Sequence, residues 1–151
     1  MYPFLLTTHS LMRWVVLIAG IYLIVRAVRG VVGKRPYVAG DSAAGLFFTI
    51  SLDIQLVIGL LLYGVFSPVT RTAFANMADA MGTREIRFFV AEHFVLMMLA
   101  VAVAHVTSVL VRRAPVDDVK FKRAAIGGLV TLALILAGIP WWRPALPALG
   151  G

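Results

Sequence analysis

Residues 86–111 read IRFFVAEHFVLMMLAVAVAHVTSVLV. This run is long enough to cross a lipid bilayer, which requires about 20 mostly apolar residues in a helix. Two histidines, His93 and His105, lie within it. Ionisable side chains at such depth usually serve a function or are paired with another polar group. The stretch therefore predicts a membrane-spanning helix and indicates candidate functional residues on it.

Three further stretches meet the same length requirement, at 4–28, 44–66 and 121–141. Four spans with short connections predict an all-α membrane protein, an up-and-down bundle of four transmembrane helices that forms a single domain over 1–151. The composition agrees, because the chain is 61% hydrophobic and 14% charged, with a mean hydropathy of +0.94. The chain has no cysteine, which excludes disulfides, iron–sulfur clusters and thiolate metal sites.

Basic residues gather in the first and third connections, a pattern typical of loops that stay on the cytoplasmic side. They are Arg26, Arg29, Lys34 and Arg35, and then Arg112, Arg113, Lys120, Lys122 and Arg123. We therefore expect a multi-pass protein of the bacterial inner (cytoplasmic) membrane with both termini on the outer side. The net charge of +7 then reflects topology and contact with the lipid bilayer, and nucleic acid is not an expected partner.

The connection 67–84 is long for a link between two adjacent helices. Within it, 70–81 could form a short helix on the membrane surface, either as a lid over the bundle or as part of an ordinary capped loop. The Pro- and Gly-rich tail 144–151 is expected to be irregular.

His9 and His93 occupy nearly equal depths in the first and third spans. His9 lies about seven residues, or roughly 10 Å, from Tyr2, and His93 lies about six residues, or roughly 9 Å, from Arg87. Two imidazoles that face each other across a helical bundle are the usual protein ligands of a b-type haem iron. A zinc site is less favoured, because zinc needs further nitrogen, oxygen or sulfur ligands and only Glu92 is near enough to add one.

The sequence thus predicts one haem b between the first and third helices near the outer face, with His9 and His93 bound to its iron. Arg13 and Arg87 are the candidate cations for the haem propionates. The alternative is structural: His9 would hydrogen-bond near the lipid headgroups, and His93 would pair with Glu92 or with a neighbouring helix.

A second polar layer is expected in the inner half of the bundle. Asp53 and His105 fall within about one helical turn of each other in depth, and Gln55 lies close by in sequence. A buried carboxylate requires a partner or a proton, and His105 is the obvious partner. The pair could join two helices, conduct protons or line a quinone headgroup site.

Several short motifs share their order and spacing with a known family. They are 9–14 (HSLMRW), 53–59 (DIQLVIG) followed by Tyr63, 87–93 (RFFVAEH), 104–105 (AH) and 140–141 (PW). Over nearly its whole length the chain resembles small four-helix bacterial membrane proteins described as cytochrome b-like. The resemblance implies His9 and His93 as axial ligands and His105 as a polar core position. Relatives often carry histidine where this chain has Asp53, so the inner layer departs from the pattern.

These features predict a membrane electron-transfer protein, with quinol in the membrane and a periplasmic redox protein as plausible partners. The pattern favours an electron carrier or a subunit of a respiratory or redox complex over a free-standing enzyme. The first alternative is a cofactor-free accessory subunit that packs in a larger membrane complex. The second is a proton-conducting or quinone-binding bundle.

Overall fold

The computed structural model describes residues 1–143, which form helices and no strands. The helices are α1 (Tyr2–Gly33), α2 (Ala39–Leu61), α3 (Pro68–Ala75), α4 (Met77–Gly82), α5 (Arg84–Arg87), α6 (His93–Arg112) and α7 (Asp117–Gly138). A π-helical turn, Leu62–Phe66, extends α2, and a second one, Phe88–Glu92, joins α5 to α6. The predicted irregular tail 144–151 lies outside the described residues.

Four helical segments are long and apolar enough to cross a membrane, as the sequence predicted. They are Tyr2–Gly33, Ala39–Phe66, Arg84–Arg112 and Asp117–Gly138. Each segment begins before its predicted span, because backbone hydrogen bonding does not stop where hydrophobicity does. The fourth ends at Gly138, short of the predicted 141, because Ile139 precedes Pro140 and is extended. α1, for example, continues past the basic residue Arg29 to Gly33, and Lys34, the residue that follows, has a left-handed φ of 46°.

Each long helix contacts two long neighbours. α1 packs against α2 and α7, α6 packs most closely against α7, and α2 and α6 pack together least closely. The start of α1 lies beside the last turns of α2, and the start of α6 lies beside the end of α7. Buried alanines, including Ala19, Ala27, Ala100, Ala104 and Ala124, let the helices approach closely.

An ion triad ties α1 to α2 at what we call the Asp41 end of the molecule. The buried carboxylate of Asp41 accepts hydrogen bonds from Arg26 Nε at 2.9 Å, from Arg35 Nη1 and Nη2 at 2.7 Å, and from the Val38 backbone N–H at 3.0 Å. The hydrogen bonds to Asp41 raise the pKa of Arg35 above its ordinary value. Asp41 therefore fixes both the start of α2 and the connection that leads to it.

Asp41→Asn should lower the midpoint of thermal unfolding by several degrees, because the amide leaves two arginines without their shared anion. Circular dichroism of the purified protein in mild detergent would measure the change. Asp118→Asn is the control, since Asp118 pairs with Lys122 at an exposed site and such pairs contribute little. Equal midpoints for the two variants would show that the triad does not stabilise the fold.

The connection 67–84 forms two short helices where the sequence indicated one over 70–81. The break falls at Asn76, which ends α3 and caps α4 by accepting a hydrogen bond from the Asp79 N–H. Ala73 and Ala80 are buried with Val90 in a small apolar cluster. The segment is therefore packed onto the end of the molecule opposite Asp41, which we call the His9 end.

Candidate functional site

His9 and His93 face each other at the His9 end. Their ring centroids are 6.3 Å apart, and the ring planes are inclined at 71°. The two residues match in depth along their helices, and the packing of the helices brings their rings together. Two metal–nitrogen bonds of about 2.0 Å plus the radii of two imidazoles span roughly 6 Å, so the separation suits one ion held between the rings.

His93 is oriented by a neighbouring helix. Its Nδ1 lies 2.7 Å from the carbonyl oxygen of Gly138 in α7. A carbonyl only accepts, so Nδ1 is the protonated nitrogen and Nε2 keeps its lone pair. This is the usual arrangement of a metal-binding histidine, whose second nitrogen donates to a backbone carbonyl or a carboxylate. The π-helical turn Phe88–Glu92 directly precedes His93, and such turns are frequent at functional sites.

His9 lies in a slot formed by α2. A Cβ atom on Gly59 would be only 3.1 Å from His9 Cε1, so glycine leaves the space that the ring occupies. The amide Nε2 of Gln55 donates to the His9 carbonyl oxygen at 2.9 Å. Within residues 1–143, His9 Nδ1 and Gln55 Oε1 are buried side-chain atoms that have no hydrogen-bond partner.

The assignment of Gln55 to the inner polar layer is therefore wrong. Gln55 lies two residues beyond Asp53 on α2, and a step of two residues carries a helical side chain to a different face. Its amide consequently reaches α1 at His9, whereas Asp53 points toward α6. Gln55 belongs with the histidine pair.

The two histidines line a cavity of about 380 Å³. Its wall is mainly apolar and includes Val16, Leu52, Leu62, Met97, Ile135 and Ile139. Ser67, Val69 and Thr70 of the connection 67–84 line part of it. A smaller cavity of about 60 Å³ also touches both histidines and runs between α2 and α6.

Two arginines, Arg13 and Arg143, line the larger cavity. Arg13 was expected there. Arg87 was also expected, but it lies outside this lining, because its Nε instead donates to Glu92 Oε1 at 3.0 Å on the exposed surface. Sequence reasoning missed Arg143, whose guanidinium carbon lies 4.3 Å from the centre of the Phe89 ring. The sequence feature that could have identified Arg143 is its position just beyond the fourth span.

Tyr63 is a second residue of the site that sequence reasoning left without a role. Its hydroxyl donates to the Val90 carbonyl oxygen at 2.9 Å, and its ring stacks on Phe94 with centroids 4.6 Å apart. Tyr63 and Val90 lie in the two π-helical turns, where a displaced backbone carbonyl can accept an external donor. Tyr63 thus joins α2 to the segment that carries His93.

The predicted pairing of Asp53 with His105 is confirmed, with His105 Nε2 and Asp53 Oδ1 at 2.8 Å. The pair is not buried, however, because the side chains are 44% and 52% exposed. It lies where α2 and α6 pack least closely, and it lines neither of the two cavities that the histidine pair touches. His105 is therefore not the core position that the resemblance implied.

Within residues 1–143 there is no group of three or more histidine, cysteine, aspartate or glutamate side chains that could hold a metal ion. Comparison with family models, with curated proteins and with solved structures finds no match to this chain.

Proposed function

We propose that this protein is a transmembrane electron carrier that binds one b-type haem between His9 and His93. The observation that carries the proposal is the facing histidine pair, with ring centroids 6.3 Å apart in the wall of a mainly apolar cavity. The four apolar helices would form an up-and-down bundle in a bacterial inner membrane, as the distribution of basic residues favours. This is the function expected of the cytochrome b-like proteins that the chain resembles.

The donor set suits haem. Hydrogen bonding to Gly138 leaves His93 Nε2 available as a ligand, and the buried Nδ1 of His9 has no partner within the described residues. Glycine at position 59 keeps the His9 ring from being displaced. Arg13 and Arg143 supply cations at the same cavity, where they can pair with propionates. A bound haem would supply a one-electron couple.

Residues around the cavity would hold the two histidines in place and keep water out. Gly138 and Gln55 hold the two histidine-bearing segments in place through backbone and amide hydrogen bonds. Ser67, Val69 and Thr70 shield the cavity from water at the His9 end. The small cavity between α2 and α6 reaches both histidines, and this opening favours a membrane quinol as electron donor. A periplasmic redox protein would accept the electron at the outer surface.

Visible spectra test this proposal. The protein, expressed in haem-replete cells and purified in mild detergent, should show a sharp α-band on reduction with dithionite and about one haem per chain. Haem extraction as the pyridine adduct would give the stoichiometry and the haem type. A colourless, folded protein that extracts in a larger assembly would overturn the proposal and support the alternative of an accessory subunit.

One observation favours that alternative. Asp53 and His105 form a hydrogen-bonded pair that is half exposed on two helices long enough to cross a membrane. Ionisable groups in such helices generally face protein or water rather than lipid, so a neighbouring subunit could cover them. Proton conduction has less support, because the pair lies outside both cavities that His9 and His93 line.

A further inference from the structure

A second cavity, of about 530 Å³, lies among α1, α2, α6 and α7 at the Asp41 end. It shares no lining residue with the histidine cavity. Part of its lining is apolar, with Leu23, Phe48, Ala104, Ala124, Gly127 and Gly128, and the threonines Thr49, Thr107 and Thr131 also line it. Gly45 also lines the cavity. A Cβ atom built on it would lie 4.0 Å from its nearest neighbour, Leu23 Cδ1. The cavity is therefore open beside Gly45, and an apolar chain can extend into it.

The mouth of this cavity is basic. Arg112 and Lys120 line it, and no carboxylate does among the described residues. Arg112 Nη1 donates to Ser108 Oγ at 2.7 Å, a neutral partner that holds the guanidinium in place without cancelling its charge. Lys120 Nζ pairs with Asp117 Oδ1 at 2.9 Å, while the other oxygen of Asp117 accepts from the Tyr37 N–H. Both cations are thus fixed by partners outside or at the rim of the cavity.

We infer that this cavity binds an anionic phospholipid, with its phosphate at Arg112 and Lys120 and an acyl chain along the apolar wall. Basic pockets between transmembrane helices on the cytoplasmic side suit such headgroups. The distribution of basic loops places the Asp41 end on that side. A neutral quinone would leave Arg112, whose guanidinium bonds to the uncharged Ser108 hydroxyl, without an anion inside the cavity, so the charge favours the lipid.

Native mass spectrometry of the full chain in mild detergent tests the inference. Phosphatidylglycerol should be retained in preference to phosphatidylcholine with the same acyl chains. Arg112→Gln with Lys120→Gln should weaken phosphatidylglycerol binding roughly 30-fold. Arg29→Gln with Arg113→Gln removes the same charge from exposed residues of the same end and should change binding less than about 2-fold. Equal losses in the two double variants would overturn the site.

Gly45→Leu supplies an independent test, because leucine would fill the apolar chamber and leave the cations in place. It should abolish retention of phosphatidylglycerol without changing the thermal unfolding midpoint. Retention of phosphatidylglycerol by a folded Gly45→Leu variant would overturn the inference. Displacement of the lipid by millimolar glycerol phosphate, which has the phosphate headgroup but no acyl chain, would also overturn it. Neither result bears on haem, since the visible spectrum reports on the separate histidine cavity.

Discussion

His93→Ala should remove haem from the purified protein, lowering occupancy by more than about tenfold. The ring of His93 supplies one of the two facing imidazoles, and no other histidine is near enough to replace it, since His105 lies about 18 Å further along α6. His9→Ala should have the same effect from the opposite side of the cavity. The reduced visible spectrum of each variant, normalised to protein concentration, measures the loss.

His105→Ala is the matched control, because it removes a histidine from the same helix that bonds to Asp53 rather than facing His9. Its α-band should keep the wild-type position and intensity. If His105→Ala lost haem to the same extent as His93→Ala while remaining folded, the iron would not be held by the pair that the geometry indicates. Circular dichroism of all three variants would establish that each is folded.

Gly30→Ala is expected to be among the most destabilising single-atom additions to the fold. A Cβ atom at Gly30 would overlap the ring of Phe121, which is 1% exposed. That ring cannot retreat easily, because Tyr37 packs against it at a centroid distance of 5.0 Å and Arg35 lies 4.7 Å above it. We expect the free energy of unfolding to fall by about 2 kcal/mol, measured by denaturation from mild detergent.

Gly33→Ala, one turn further along α1, is the control for this effect. A Cβ atom there would meet nothing within 4 Å, so alanine should raise the free energy of unfolding by up to about 1 kcal/mol through helix propensity. Opposite signs for two identical substitutions three residues apart would identify the Phe121 contact as the cause. Changes in the free energy of unfolding that have the same sign and size in both variants would contradict the packing of α1 against α7.

The inner polar layer illustrates where sequence reasoning reaches its limit. Depth along a helix follows from counting residues at 1.5 Å each, so the pairing of Asp53 with His105 could be predicted. The direction in which each side chain points depends on how the helices are rotated about their axes, which counting does not give. For this reason Gln55 proved to contact His9, and the Asp53–His105 pair proved to be half exposed.

The four apolar helices and the matching depth of His9 and His93 follow from the amino-acid sequence alone, because hydrophobic length and depth along a helix are read from the order of residues. Tertiary packing brings the two rings together and selects the cations beside them, since Arg87 turns outward to Glu92 while Arg143 lines the cavity. It also revealed the basic cavity at the Asp41 end, whose lining comes from all four long helices. Rotation and close packing of helices create such sites, and both arise only when the segments are assembled.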